Sequence, residues 1–256
     1  MSLEQFDIAG QAVIITGASS GLGQIMARGY AAAGCHLVIA ARRTSALEEL
    51  ASEIQEDGTR VVVRTADVRD PGHADALVDL ALAEFDRLDG AVLNAGIATV
   101  APAQDESLED FAAVMEVNVT AQMRLAQAAA RAMIPRGGGW IIALSSILGN
   151  RAGTGGGVSG YTASKGAIEQ LTRELARQWA PHGIRVNALS PGFFPTEMNA
   201  PLVASPERLA AMLARIPLGR MGEQQDLIGA AVFLASPAAR YVTGHSLAVD
   251  GGMSAW

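Results

Sequence analysis

Ala12-Val13-Ile14-Ile15-Thr16-Gly17-Ala18-Ser19-Ser20-Gly21-Leu22-Gly23 is the stretch on which the fold turns. Its first five residues show no alternation of apolar and polar and are rich in β-branched side chains. A strand buried on both faces of a parallel sheet reads this way. The three glycines are spaced G-x-x-x-G-x-G, not G-x-G-x-x-G, and a helical pattern runs on to Ala33. Strand, glycine turn and helix in that order suit a pyrophosphate: the glycines allow a tight turn and close backbone approach, and the helix N-terminus faces the charge. A glycine turn without a ligand is the alternative.

The same alternation continues along the chain. Strands are expected at His36–Ala41, Arg60–Ala66, Gly90–Leu93, Trp140–Leu144, Ile184–Leu189 and Ser246–Val249. Helices are expected at Ser45–Glu56, His73–Phe85, Ser107–Met133 as one long element, Gly166–Trp179 and Glu223–Ala235. No linker, repeat or low-complexity tract interrupts them. The expected fold is α/β: a single-domain, doubly wound parallel sheet of seven strands with helices on both faces, spanning residues 1–256. Residues 190–222, punctuated by Pro201, Pro206 and Pro217 and holding one short helix at Pro206–Arg215, read as a substrate lid.

Of the 256 residues, 50% are hydrophobic and 18% charged, enough for a large core. The formal charge of -7 would repel a phosphate backbone, so nucleic acid is not an expected partner. The single cysteine, Cys35, excludes an internal disulfide and a multi-cysteine metal cluster, and reads as a buried thiol. The four histidines show no metal-ligand spacing. The first ten residues lack a basic segment leading into a long apolar run, and no apolar run is long enough to span a bilayer. A soluble, cytoplasmic protein is expected.

Polar residues gather at the carboxyl ends of the expected strands, where parallel sheets of this kind bind ligands. Arg42 and Arg43 follow the second strand, where many dinucleotide sites carry an acid for the ribose hydroxyls. A guanidinium grips a 2′-phosphate that an acid would repel, so the pair favours NADP(H) over NAD(H). Arginines that merely open the next helix are the alternative. Asp67 is a candidate for the adenine edge and Asn94-Ala95-Gly96 for close approach to the cofactor; each also suits an ordinary turn. Asn118 is a poor residue for a helix interior. Ser145 and Ser146 end another strand. Tyr161 and Lys165 stand one helical turn apart on one face, where an ammonium can stabilise a phenolate.

Taken together, Thr16-Gly17-x-x-x-Gly21-x-Gly23, Asn94-Ala95-Gly96, Asn118, Ser146, Tyr161-x-x-x-Lys165 and Pro191-Gly192-x-x-x-Thr196 make the chain resemble the short-chain dehydrogenase/reductases over essentially its whole length. The resemblance implies a catalytic set of Asn118, Ser146, Tyr161 and Lys165. Tyr161 would donate or take the proton, Lys165 would lower its pKa and bind the nicotinamide ribose, Ser146 would hold the substrate oxygen, and Asn118 would hold a relay water. Ser146 is preferred to Ser145 because the family's serine is usually the second of such a pair. Gly17, Ser19, Ser20, Gly21, Leu22 and Gly23 would cradle the pyrophosphate. Asp67 and Val68 would meet adenine, and Pro191, Gly192, Phe194 and Thr196 would place the nicotinamide amide. Arg42 sits where NADP-preferring members carry a basic residue. Ser20, often basic in those members, and a lengthened loop between Ser146 and Tyr161 are departures.

Three functions follow from the resemblance. Phe193, Phe194, Met198, Leu202, Met212 and Leu213 make the lid apolar, which favours an NADP-linked reductase of a 3-oxoacyl-type or other apolar ketone, unless those side chains pack on their own domain. Pro217-Leu218-Gly219-Arg220 and Val249-Asp250-Gly251-Gly252 resemble both acyl-carrier-protein ketoreductases and gluconate 5-dehydrogenase-like enzymes. The alternative is therefore an NAD(P)-linked dehydrogenase of a sugar acid, polyol or sterol. A dinucleotide-sensing protein without turnover is the third. The substrate would be a small molecule, and the family implies a homotetramer or dimer.

Overall fold

The computed structural model describes residues 4–55, 59–153 and 156–255, with only the main chain of Met198 and Pro201. The strands are β1 Ala12–Thr16, β2 His36–Ala41, β3 Val61–Thr65, β4 Gly90–Leu93, β5 Gly139–Leu144, β6 Ile184–Pro191 and β7 Ser246–Val249. They form one parallel sheet in the order β3-β2-β1-β4-β5-β6-β7. The order reverses between β1 and β4, and the crevice outside the strand ends at such a reversal is where open parallel sheets take ligands.

The helices are α1 Gly21–Ala32, α2 Thr44–Ile54, α3 His73–Phe85, α4 Leu108–Met115, α5 Ala121–Met133, α6 Ser159–Trp179, α7 Ala200–Val203, α8 Pro206–Leu213 and α9 Gln224–Ala235. The pleat sends alternate strand side chains to opposite faces. Val13 and Ile15 of β1 pack with α1, α2 and α9 through Met26, Leu47, Leu50 and Leu227. Ile14, between them, packs on the other face with α3, α5 and α6 through Leu77, Leu125 and Ile168. Burial on both faces explains why these strands read as continuous apolar runs. Cys35 is among the first set; burial pushes its thiol up to about 12, which leaves it a packed side chain and no nucleophile.

Three expectations change. The long helix at 107–133 is broken by a π-helical turn, Glu116–Thr120, between α4 and α5, and this turn carries Asn118. The catalytic helix starts earlier than expected, at Ser159, so Tyr161 and Lys165 occupy its first two turns. The lid holds α7 and a 3-10 turn at Glu197–Asn199 in addition to α8. The expected end of the second helix, Glu56, and the Met198 side chain lie outside the described residues.

Candidate active site

The glycine turn is held from behind by the end of β4. Asn94 donates through Nδ2 to the carbonyls of Thr16 (2.8 Å) and Gly17 (3.1 Å), while the Thr16 hydroxyl accepts from the Asn94 and Ala95 amides. A Cβ on Gly23 would stand 2.4 Å from Asn94 Nδ2 and from the Gly17 oxygen, and one on Gly17 would stand 2.8 Å from the same Nδ2. Gly17 and Gly21 also have positive φ, at 66° and 57°. Ser20, the N-cap of α1, makes no side-chain capping bond, so the first turn keeps its amides for another acceptor. A main chain pressed this close to its neighbours, at an uncapped helix N-terminus, fits a pyrophosphate.

Arg42 and Arg43 stand beside this turn. Arg43 donates to the Ser19 carbonyl (3.1 Å) and hydroxyl (3.4 Å) and reaches Glu197 of the lid at 3.1 Å. Arg42 is exposed and makes no hydrogen bond among the described residues. Asp67 is already paired: Arg69 donates to both its oxygens, which holds the carboxyl down to about 2, with Arg42 adding a smaller pull. Its side chain is thus tied to Arg69, which puts it in competition with any adenine contact. Val68 and Ala95 line a small internal space with Thr16, His73 and Gln122.

Asn118 is fully buried and its amide is spent inside the protein. Oδ1 accepts from the Ile97 amide (2.8 Å), and Nδ2 donates to the Ile97 carbonyl (2.9 Å) and the Ser164 hydroxyl (3.0 Å). Ser164 in turn donates to the Tyr161 carbonyl at 2.6 Å. The side chain therefore has no donor left for a relay water. It fixes the loop after Gly96 against the helix that carries Tyr161, and the π turn lets it face inward from an otherwise helical stretch.

Ser145 and Ser146, alike in sequence, part company in the structure. Ser145 turns towards α6, against the Lys165 carbonyl and the Glu169 carboxylate. Ser146 caps the turn Ile147–Gly149, accepting from the Leu148 amide at 3.1 Å. Burial raises the Tyr161 pKa above its ordinary value, and the nearby Ser146 hydroxyl works against that rise. Lys165 is buried, which pushes its ammonium down to about 8. Its Nζ donates to the Leu144 carbonyl and stands 5.5 Å from the Tyr161 ring centre. The ammonium points at a strand-end carbonyl, and it is the Ser146 hydroxyl that opposes the effect of burial on Tyr161.

Pro191 ends β6, and Gly192 packs so tightly on Asp250 that a Cβ would stand 2.8 Å from its Cα. Thr196 lies against Gly21, which brings the lid's first residues to the glycine turn. The Phe194 ring is buried, and its carbonyl accepts from Asn199 at 2.8 Å. Further along the lid, Leu202, Leu209, Met212, Leu213 and Ile216 cluster with Ile147, Leu148 and Met253. These apolar side chains pack on their own chain. Arg151, in the loop between Ser146 and Tyr161, donates to the Met253 carbonyl. Sequence reasoning missed Glu106, which accepts from the Gly160 amide at 3.2 Å and the Thr99 hydroxyl at 3.1 Å, pinning the start of α6. An acid just before a helix-capping serine carries no signal of a contact so far away in sequence.

A doubly wound parallel sheet with a glycine turn at its first strand end, and a Ser-Tyr-Lys set on the strand and helix opposite, defines a dinucleotide-dependent oxidoreductase. The chain belongs to the short-chain dehydrogenase/reductase family: a family model described as enoyl-(acyl carrier protein) reductase matches residues 17–254. It is 43% identical over 254 residues to the 2-dehydro-3-deoxy-D-gluconate 5-dehydrogenase of Dickeya dadantii (strain 3937), covering 98% of each chain. It is 42% identical over 255 residues to the galactitol 2-dehydrogenase (L-tagatose-forming) of Cereibacter sphaeroides, again covering 98% of each. Among solved structures, a gluconate 5-dehydrogenase from Burkholderia cenocepacia J2315 in complex with NADP and tartrate superposes with a TM-score of 0.94 at 37% identity, covering 100% of both chains.

Proposed function

We propose that the protein is an NADP(H)-dependent dehydrogenase of a sugar acid or related polyol, interconverting a secondary alcohol and a ketone. The observation that carries this is the full-length likeness to sugar-acid and polyol dehydrogenases, one of them solved with NADP. The lid supports it in a second way: of the apolar side chains that favoured a 3-oxoacyl-type ketone, Phe193, Leu202, Met212 and Leu213 are occupied by Ile147, Leu148 and Met253. Residues 1–256 act in this reading as one dinucleotide-binding and catalytic unit with its lid at about 190–222. The exposed Leu108 and Tyr241 are consistent with a homo-oligomer, whose sedimentation as a monomer would sink that part.

The glycine turn binds the pyrophosphate, Arg42 and Arg43 bind the 2′-phosphate, and Pro191, Gly192 and Thr196 place the nicotinamide end. When bound, NADP(H) takes or supplies the hydride. The chain's own residues handle the proton. Ser146 donates to the substrate oxygen, and Tyr161 takes the hydroxyl proton in the oxidising direction or returns it to the ketone oxygen in the reducing one. Both hydroxyls favour the state in which that oxygen carries most charge. The Lys165 ammonium adds positive charge beneath the ring, and Asn118 keeps the Tyr161 turn in register through Ser164. The test is kcat/KM on three panels: gluconate-type acids, polyols such as galactitol, and 3-oxoacyl thioesters. The first two should exceed the third by at least about tenfold, a difference of roughly 1.4 kcal/mol in barrier. The reverse order restores the apolar-ketone reading.

A further inference from the structure

One buried charge takes no part in the steps above. Glu169 stands one turn beyond Lys165 on α6 and is 5% exposed. Its Oε1 accepts from three serine hydroxyls on three different segments of the sheet: Ser145 just past β5 (3.0 Å), Ser190 in β6 (2.9 Å) and Ser246 at the start of β7 (2.7 Å). Ser190 and Ser246 also touch each other at 2.7 Å, and Arg173 lies 3.6 Å from Oε2. The site is crowded as well as bonded. A Cβ on Gly149 would meet Ser145 Oγ at 2.7 Å and Glu169 Cγ at 2.9 Å.

A carboxylate taken out of water loses several kcal/mol of hydration, so a buried one is weak evidence for stability alone. Its position is more informative. Ser145 directly precedes Ser146, and Ser190 directly precedes Pro191-Gly192. The helix bearing Glu169 carries Tyr161 and Lys165, and Ser145 also meets the Lys165 carbonyl at 3.2 Å. One carboxylate oxygen thus ties the loop of the substrate-holding serine and the loop of the nicotinamide end to the helix of the proton donor. We infer that Glu169 is a positioning residue, setting the relative placement of Ser146, Pro191-Gly192 and Tyr161 on which hydride and proton transfer depend. This rests on the roles proposed for those residues.

The test compares wild type, Glu169→Gln, Glu169→Ala and the double variant Ser190→Ala/Ser246→Ala, each assayed on whichever panel substrate the wild type turns over. The readouts are the NADPH dissociation constant, kcat, and the primary deuterium isotope effect on kcat. Asn187→Ala is the control for lost stability, since Asn187 is equally buried but ties β6 to Val242 and His245, away from the site. The expected result is NADPH binding within about twofold of wild type, with kcat lower by about tenfold to a hundredfold, the scale of a small misplacement of reacting groups. The isotope effect should rise as hydride transfer becomes limiting. Asn187→Ala should lose melting temperature but keep kcat. Should Glu169→Ala fail to fold, the glutamine and double-serine variants carry the comparison. Unchanged kcat and isotope effect in folded Glu169→Gln overturns the inference, as does an equal kcat loss in Asn187→Ala. A wild type that turns over only 3-oxoacyl thioesters defeats the sugar-acid reading instead, and the variants still decide the role of Glu169 on that substrate.

Discussion

The glycine turn and the lid face each other across the same crevice, yet they are built by different physics. The turn is set by hydrogen bonds and by the absence of side chains: Asn94 spans Thr16 and Gly17, and no Cβ fits at Gly23. The lid is set by apolar contact, with Met212 and Ile216 packed on Ile147 and Met253 and few directional bonds. A hydrogen-bonded frame with no spare volume holds one geometry, whereas a small apolar cluster tolerates repacking. The contrast suits a cofactor site that must be rigid and a substrate cover that must move.

The most severe way to break the contrast is Gly23→Ala. With backbone oxygen at 2.4 Å on one side and Asn94 on the other, the methyl has nowhere to go. A loss of about 3 kcal/mol or more in stability is expected, with dinucleotide affinity lost alongside, by denaturant unfolding and NADPH titration. Lys165→Met cuts the other way. A lysine whose folded pKa falls from 10.5 to about 8 destabilises the fold wherever it is charged in both states, by on the order of 3 kcal/mol below pH 8. That cost is relieved as pH rises from about 8 towards 10.5. Removing the charge should therefore give at least wild-type stability at pH 7 and flatten its rise above pH 8, while turnover is lost; lower stability at pH 7 would contradict the burial argument.

Met212→Ala tests the lid and should cost about 2 kcal/mol or slightly more. NADPH binding should be unchanged while the substrate KM rises; a matching loss of NADPH affinity would show that lid and turn are not separable. The smallest effect is expected at an ion pair that joins the two regions. Arg43–Glu197 is exposed on both sides, so Glu197→Gln should move stability by less than about 0.5 kcal/mol. NADPH binding should tighten slightly as Arg43 is released; weakened binding would mean that Glu197 holds Arg43 in its productive place.

The same contrast explains what the sequence disclosed. β1, β2, β4 and β7 match their expected limits because double burial, or an abrupt glycine or polar boundary, marks them in the residues themselves. The Ser-Tyr-Lys set was legible because its spacing is fixed by one helix and one strand end. The π turn at Glu116–Thr120 was not, since Met115 to Ala121 carries no breaker and a single extra residue per turn leaves the apolar pattern nearly intact. α7 was hidden behind Pro201, which serves as an initiator near its start. Glu169 was hidden most completely, since an acid four residues after a lysine reads as solvent-facing. Three serines near the ends of β5, β6 and β7, on the face towards α6, were the signal that could have revealed it.

Tyr161 is proposed to drive NADP-linked oxidation of a sugar-acid type alcohol. The direct measurement is the formation of NADPH from NADP and gluconate or 2-dehydro-3-deoxygluconate, in wild type and Tyr161→Phe, with NADPH affinity measured in both. Turnover by wild type, a loss of about 100-fold or more in the variant, and affinities within about twofold are expected. NADPH formation surviving in Tyr161→Phe, or wild-type turnover confined to 3-oxoacyl thioesters, would contradict it.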